Sequence, residues 1–261
     1  NKEEHFAAMN ANGTGPYILV KREPGIRTTW KRNPNHWAKP EGNVQEVVFT
    51  PIANDATRSA ALISGELDFI LDPPPRDVAK LRATAGVKII DGPENRIVFI
   101  GMDQFRDELL YSNVKGKNPF KDVRVRKAFY LAIDEDAIAA RVMRGAATPS
   151  ALMISPLLFD LAKDFQRPKA NPEEAKKLLA EAGYPNGFEV TLDCPNDRYI
   201  NDEAICQAVV AMLARVGVKI NLLAQPKAKY FAKVLVSGGY DTSFYLLGWT
   251  PGSFDSWNVL A

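Results

Sequence analysis

Phe188-Glu189-Val190-Thr191-Leu192 opens the stretch whose reading decides the fold. Apolar and polar residues alternate through it, which predicts a half-buried strand. Cys194-Pro195-Asn196-Asp197-Arg198 breaks the alternation. Proline cannot donate to a ladder, and Asn-Asp favours a turn. Ile200, Ala204, Ile205, Ala208, Val209, Met212, Leu213 and Val216 then recur by threes and fours. That spacing predicts a helix with one apolar face, closed by Gly217. Val218-Lys219-Ile220-Asn221-Leu222 restarts a strand, completing a β-loop-α-β unit. Its loop lies at the carboxyl end of a strand and the amino end of a helix. Free N–H groups and the positive dipole end there favour a polar or anionic ligand group. Arg198 and Tyr199 add a fork of donors and an aromatic face. A solvated turn with a helix cap is the plain alternative.

Outward from this unit, strands and helices alternate. Downstream, a helix is predicted over 227–236, a strand over 241–247, and a loop from Gly248 to Asp255 at that strand's carboxyl end. Upstream, short strands are expected at 17–20, 27–32 and 44–49, with a helix capped by Asn54 or Asp55 and ended by Gly65. Further strands are expected at 66–71, 87–90 and 96–100, with a short helix over 76–84. Asp122 caps a helix to Ala132, Asp134 a second to Arg144, and Asn171-Pro172-Glu173-Glu174 starts a third that Gly183 closes. Such alternation argues for an α/β protein with mixed sheets. The texture changes after Gly101, which divides the chain into 1–100 and 101–261.

With 261 residues, 46% hydrophobic and 25% charged, the chain has an ordinary globular composition. A net charge of +2 gives no reason to expect nucleic acid as a partner. No run reaches the ~18 apolar residues of a membrane span. Asn1-Lys2-Glu3-Glu4-His5 carries no apolar leader, so a signal peptide is absent from this segment. Cys194 ends a strand and Cys206 sits inside a helix; that pairing is geometrically awkward, and two buried free thiols are expected. His5 and His36 lie in unrelated segments, and no metal-ligand spacing, phosphate-cradling glycine loop or Gly-x-Ser-x-Gly elbow occurs. Neither a metal nor a cofactor is expected. Asp122, Asp134 and Glu173 read as helix caps and first-turn acids, so no catalytic residue stands out.

Several motifs, taken in order, resemble a known family. They are Gly13-Thr14-Gly15-Pro16-Tyr17, Glu23-Pro24-Gly25, Arg32-Asn33-Pro34-Asn35-His36-Trp37, Ser64-Gly65-Glu66-Leu67-Asp68 and Pro119-Phe120-Lys121-Asp122-Val123-Arg124-Val125-Arg126-Lys127-Ala128. Ala132-Ile133-Asp134, Ala180-Glu181-Ala182-Gly183-Tyr184, Gly239-Tyr240-Asp241 and Gly248-Trp249 come after them. Together they resemble the extracellular solute-binding proteins of ABC importers, family 5, the peptide/nickel/opine class. The resemblance runs from about Gly13 to Leu260. It implies a periplasmic-binding-protein-like fold of the class II type, in which two lobes close on a solute at a hinge. Members are longer than this chain, so the segment corresponds to part of a first lobe (1–100) and most of a second (101–261), with the hinge near Gly101. It also implies a periplasmic location, a membrane permease as partner and no catalysis.

The same resemblance places ligand contacts in two loops: Asn196, Arg198 and Tyr199 in one, Trp249 and the residues after it in the other. In peptide-binding members an Asp shortly after that Trp receives the peptide's amino group. Here that position falls on Gly252, and Asp255 lies three residues later. The departure counts against capture of a free peptide amine and leaves opines, modified peptides, other amines and sugars open as solutes. Two other readings stand beside this one: a cleft hydrolase or transferase using carboxylates, which would need two facing carboxylates, and a ligand-sensing receptor domain, which would show a large exposed apolar patch.

Overall fold

The computed structural model describes residues 5–39, 41–92, 94–155 and 164–252. The chain forms two compact units, Asn1–Ile70 and Leu71–Ala261.

In the first unit a short helix α1 (Phe6–Met9) precedes strands β1 (Tyr17–Glu23), β2 (Arg27–Arg32) and β3 (Glu46–Phe49). All three pair antiparallel in sequence order, with Tyr17 opposite Arg32 and Thr28 opposite Phe49. Helix α2 (Asp55–Ser64) begins where the Asn54 carboxamide oxygen accepts the Thr57 N–H at 3.0 Å, and ends at Gly65 with φ +79°. Both ends match the sequence expectation. The strand expected at 66–71 is not formed. Phe69 and Leu71 are exposed, and no described strand lies beside them to complete a ladder. An apolar-polar alternation marks a strand only when a partner accepts its backbone groups.

The second unit carries helices α3 (Val78–Ala83), α4 (Val123–Ala132), α5 (Glu135–Ala137), α6 (Pro172–Glu181), α7 (Asp202–Ala214) and α8 (Lys227–Val234). Its strands are β4 (Ile97–Met102), β5 (Glu189–Pro195), β6 (Lys219–Gln225) and β7 (Phe244–Trp249). Asp122, Asp134 and Asn171 cap α4, α5 and α6 through their side-chain oxygens. The long helix expected from Asp134 to Arg144 is instead the short α5 running into a π-turn over Ile138–Val142. No strand forms at 87–90, where Ile90 is exposed.

The strands lie in the order β4-β7-β5-β6. β5 is parallel to both β6 and β7, and β4 is antiparallel to β7. The carboxyl ends of β5, β6 and β7 and the amino end of β4 therefore share one edge of the sheet. Several strand boundaries differ from expectation, and two of them bear on the loops at this edge. β5 runs on through Pro195, opposite Gln225, and β7 runs on through Trp249, opposite Ile97. In both cases a neighbouring strand extends the pairing into what reads locally as a loop.

Alternation along the strands sorts the two faces. Val190, Leu192 and Cys194 of β5, Ile220 of β6, and Phe244 and Leu246 of β7 join Phe129 of α4, Leu179 of α6 and Leu213 of α7 in one core. Phe120, Phe129, Phe188 and Phe244 interlock there with ring centroids 5.1 to 6.1 Å apart. Burying each such ring contributes about 1.5–3 kcal/mol. The opposite face is polar at its centre. The buried Asp193 carboxylate accepts from Lys233 Nζ at 2.8 Å and from Thr242 Oγ1 at 2.7 Å, and Lys233 also donates to the Asp241 carbonyl.

Cys194 and Cys206 are joined in a disulfide, against the expectation of free thiols. Helix α7 packs back over the strand that precedes it. Cys194 lies on the β5 face that carries Val190 and Leu192, and Cys206 joins the same core as Val209 and Leu213 of α7. The fold thus brings the two Cα atoms to 6.6 Å, within bridging range.

Candidate functional site

The loop leaving β5 is built by a single carboxylate. Asp202, the first residue of α7, is buried, and its Oδ2 accepts the N–H groups of both Arg198 and Tyr199 at 2.9 Å. Its Oδ1 accepts the Glu203 N–H at 2.9 Å. Burial raises the Asp202 pKa, and these three backbone donors work against that rise. The Arg198, Tyr199 and Glu203 amides, expected from the sequence to be free for an anionic group, are thus taken up by Asp202. Asn201 precedes the helix in the left-handed region at φ +55°, with its Nδ2 donating to the Val142 carbonyl at 2.9 Å.

Tyr199 is the residue that joins the two predicted loops. Its ring is buried, and its hydroxyl oxygen accepts the Gly248 N–H at 2.8 Å while the Gly248 carbonyl lies 3.3 Å from the same oxygen. A Cβ on residue 248 would fall 2.6 Å from Tyr199 Cε1, so only glycine lets the ring lie against β7. This is a packing reason for the Gly248-Trp249 pair. One residue on, Trp249 ends β7 partly exposed.

Two guanidinium groups flank the Tyr199 ring, Arg198 at 4.9 Å and Arg96 at 5.9 Å from its centroid. Arg96, just before β4, carries no signal of its own in the sequence. Its Nε donates to Thr250 Oγ1 at 3.1 Å, and its Nη2 pairs with Glu94 at 3.1 Å. Arg198 is exposed and makes no ion pair with a described residue. Asn196 is also exposed; its N–H donates to the Gln225 carbonyl at 3.0 Å, tying the loop to the end of β6. Asp197 accepts the Lys227 N–H at the start of α8.

The structure therefore gathers Asn196, Arg198, Tyr199 and Trp249 at one edge of one sheet. Asp255 lies outside the described residues. Sequence reasoning missed Asp202, Arg96 and the disulfide. The first could have been found as an acid four residues after an arginine in an Asn-Asp turn. Arg96 is beyond local reading, because only the β4–β7 pairing brings it to Thr250. Among the described residues no group of His, Cys, Asp and Glu is placed to hold a metal ion.

Polar loops collect at the carboxyl ends of the parallel strands, which is where open α/β sheets bind ligands in general. The family of bacterial extracellular solute-binding proteins, family 5 (middle region), matches residues 1–261, and the chain belongs to it. The chain is 29% identical over 255 residues to heme-binding protein A of Haemophilus influenzae, covering 95% of this chain and 43% of that protein. It is 28% identical over 257 residues to the dipeptide-binding protein of Escherichia coli, covering 97% and 45%. The solved structure of the periplasmic binding protein DppA from Helicobacter pylori in complex with the peptide STSA superposes with a TM-score of 0.81 at 22% identity, covering 95% and 45%. That last likeness supports the fold. The chain spans less than half the length of these relatives, each of which is named as a binding protein.

Proposed function

We propose that the protein containing this chain is the solute-binding component of an ABC importer. It captures a small solute between two lobes without changing it and delivers it to a membrane permease. The observation that carries the reading is the Tyr199–Gly248 contact, which fixes two polar loops against each other at one sheet edge. Arg198 offers a bidentate fork suited to a carboxylate or phosphate, and Asn196, Tyr199, Trp249 and Asp255 complete the proposed contacts. The solute class we favour is peptide-like, given a relative named for dipeptide binding, with another relative named for heme binding. Gly252, where the resemblance puts the amine-receiving Asp, favours opines and modified peptides over free ones.

The lobes are assigned to 1–100 and 101–261, hinged near Gly101. Gly101 lies within β4, opposite Tyr245 of β7, where a Cβ would fall 2.3 Å from the Tyr245 ring, so glycine is what the ring's position allows there. A periplasmic location fits the disulfide, which persists in oxidising compartments. No helix among the described residues is long and apolar enough to cross a membrane.

Thermal-shift screening of the full-length protein against peptides, opines, amino-acid conjugates and sugars tests the reading. A binding solute at a hundredfold excess over Kd stabilises by roughly 3 kcal/mol. No shift with any class, or turnover of a screened compound, overturns it.

A further inference from the structure

We infer that the Cys194–Cys206 disulfide and the Asp202 carboxylate together form a brace that positions the ligand loop, setting where Arg198 and Tyr199 stand. The inference rests on the assignment of that loop to the solute site. Between the two cysteines the chain leaves β5, turns through Asn196-Asp197-Arg198-Tyr199 and enters α7. The covalent bond closes this excursion at its base, joining the end of the strand to the helix interior with both sulfurs buried. Inside the ring, Asp202 draws the Arg198 and Tyr199 amides onto one oxygen. Outside it, Asn201 Nδ2 holds the Val142 carbonyl, and the Asn196 N–H holds Gln225. The Tyr199 hydroxyl then has one place to go, the Gly248 backbone.

Such a loop would otherwise be the mobile part of a binding site, because a turn on a sheet edge has few buried contacts. A loop ordered before its ligand arrives spares the binding step that ordering cost. The brace leaves the Arg198 side chain exposed while fixing its backbone, which is what a clamp for a charged solute group requires. Asp202 and the cysteines act through the loop; they are positioning residues and touch no solute themselves.

The test is hydrogen–deuterium exchange on the full-length protein, comparing wild type with Cys194→Ala/Cys206→Ala and with Asp202→Ala. Amides of Arg198 and Tyr199 are read against amides of the β5–β6 ladder. In both variants the two loop amides are expected to exchange faster by about tenfold or more, whereas the ladder amides, which open by global unfolding, accelerate only by the factor that the variant's stability loss in urea unfolding sets. Unchanged loop amides in Asp202→Ala, or loop amides that accelerate only in step with the ladder, overturn the inference. Should the double cysteine variant fail to fold, Asp202→Ala, which keeps the disulfide, decides by the same criterion. No solute is needed, so this result is independent of whether the thermal-shift screen finds one.

Discussion

The two sheets of this chain share one kind of sequence pattern and differ in what covers them. In the second unit β5 is covered on both faces. Val190 and Leu192 are fully buried against α4, α6 and α7, and Asp193 is buried on the other face beside Lys233 of α8. In the first unit every residue of β3 is exposed, and Ile18 and Val20 of β1 are exposed too. Alternation fixes which side chains share a face; it does not say whether anything packs against that face. The proposed site stands on the covered sheet, where a rigid frame can hold loops in place.

The contrast makes unequal demands on mutation. In the segment 1–261, Phe129→Ala removes a ring from the centre of the covered sheet and is expected to cost about 3–5 kcal/mol in urea unfolding. A loss below about 1 kcal/mol would mean that the aromatic cluster does not carry this unit. Lys233→Ala leaves the Asp193 carboxylate buried without its cation and is expected to cost a comparable ~3–5 kcal/mol; a near-neutral result would place water in the polar face. Removing the disulfide by Cys194→Ala/Cys206→Ala is expected to cost about 3 kcal/mol, the typical entropy of a ring of this size. Non-reducing peptide mapping should first show the two cysteines in one linked peptide. Val48→Ser, on the uncovered sheet, should stay within about 0.5 kcal/mol. A cost as large as that of Phe129→Ala would erase the distinction between the sheets. Smallest in stability is Arg198→Ala, which should leave Tm almost unmoved while weakening solute binding by the full-length protein. A large fall in Tm would assign Arg198 to the frame instead.

Much of the covered sheet is legible in the sequence because its signals are local. Apolar periodicity marks β5, α7 and β6, and Asp122, Asp134 and Asn171 announce their helices by capping chemistry, as Asn54 does in the first unit. The order of motifs points to the family. What escapes the sequence depends on pairing at a distance. Pro195 and Trp249 read as loop until Gln225 and Ile97 lie opposite them. The segments at 66–71 and 87–90 read as strands yet find no partner among the described residues. The disulfide hides for a related reason. As a strand end and a helix interior, Cys194 and Cys206 look too far apart, although the strand alternation and the helix repeat put both on the faces that meet. Within the candidate site, the turn and the Gly-Trp pair point to Arg198, Tyr199 and Trp249, and Asp202 is within reach as an acid four residues after Arg198, whereas Arg96 emerges only from the β4–β7 pairing.

On the proposed function, the turn before Tyr199 and the strand end at Trp249 serve one bound molecule. A structure of the full-length protein with the solute identified by screening decides whether they do. The solute should lie against both the 196–199 turn and Trp249, with its anionic group on the Arg198 guanidinium. A solute seated away from this sheet edge, touching neither segment, would contradict the account.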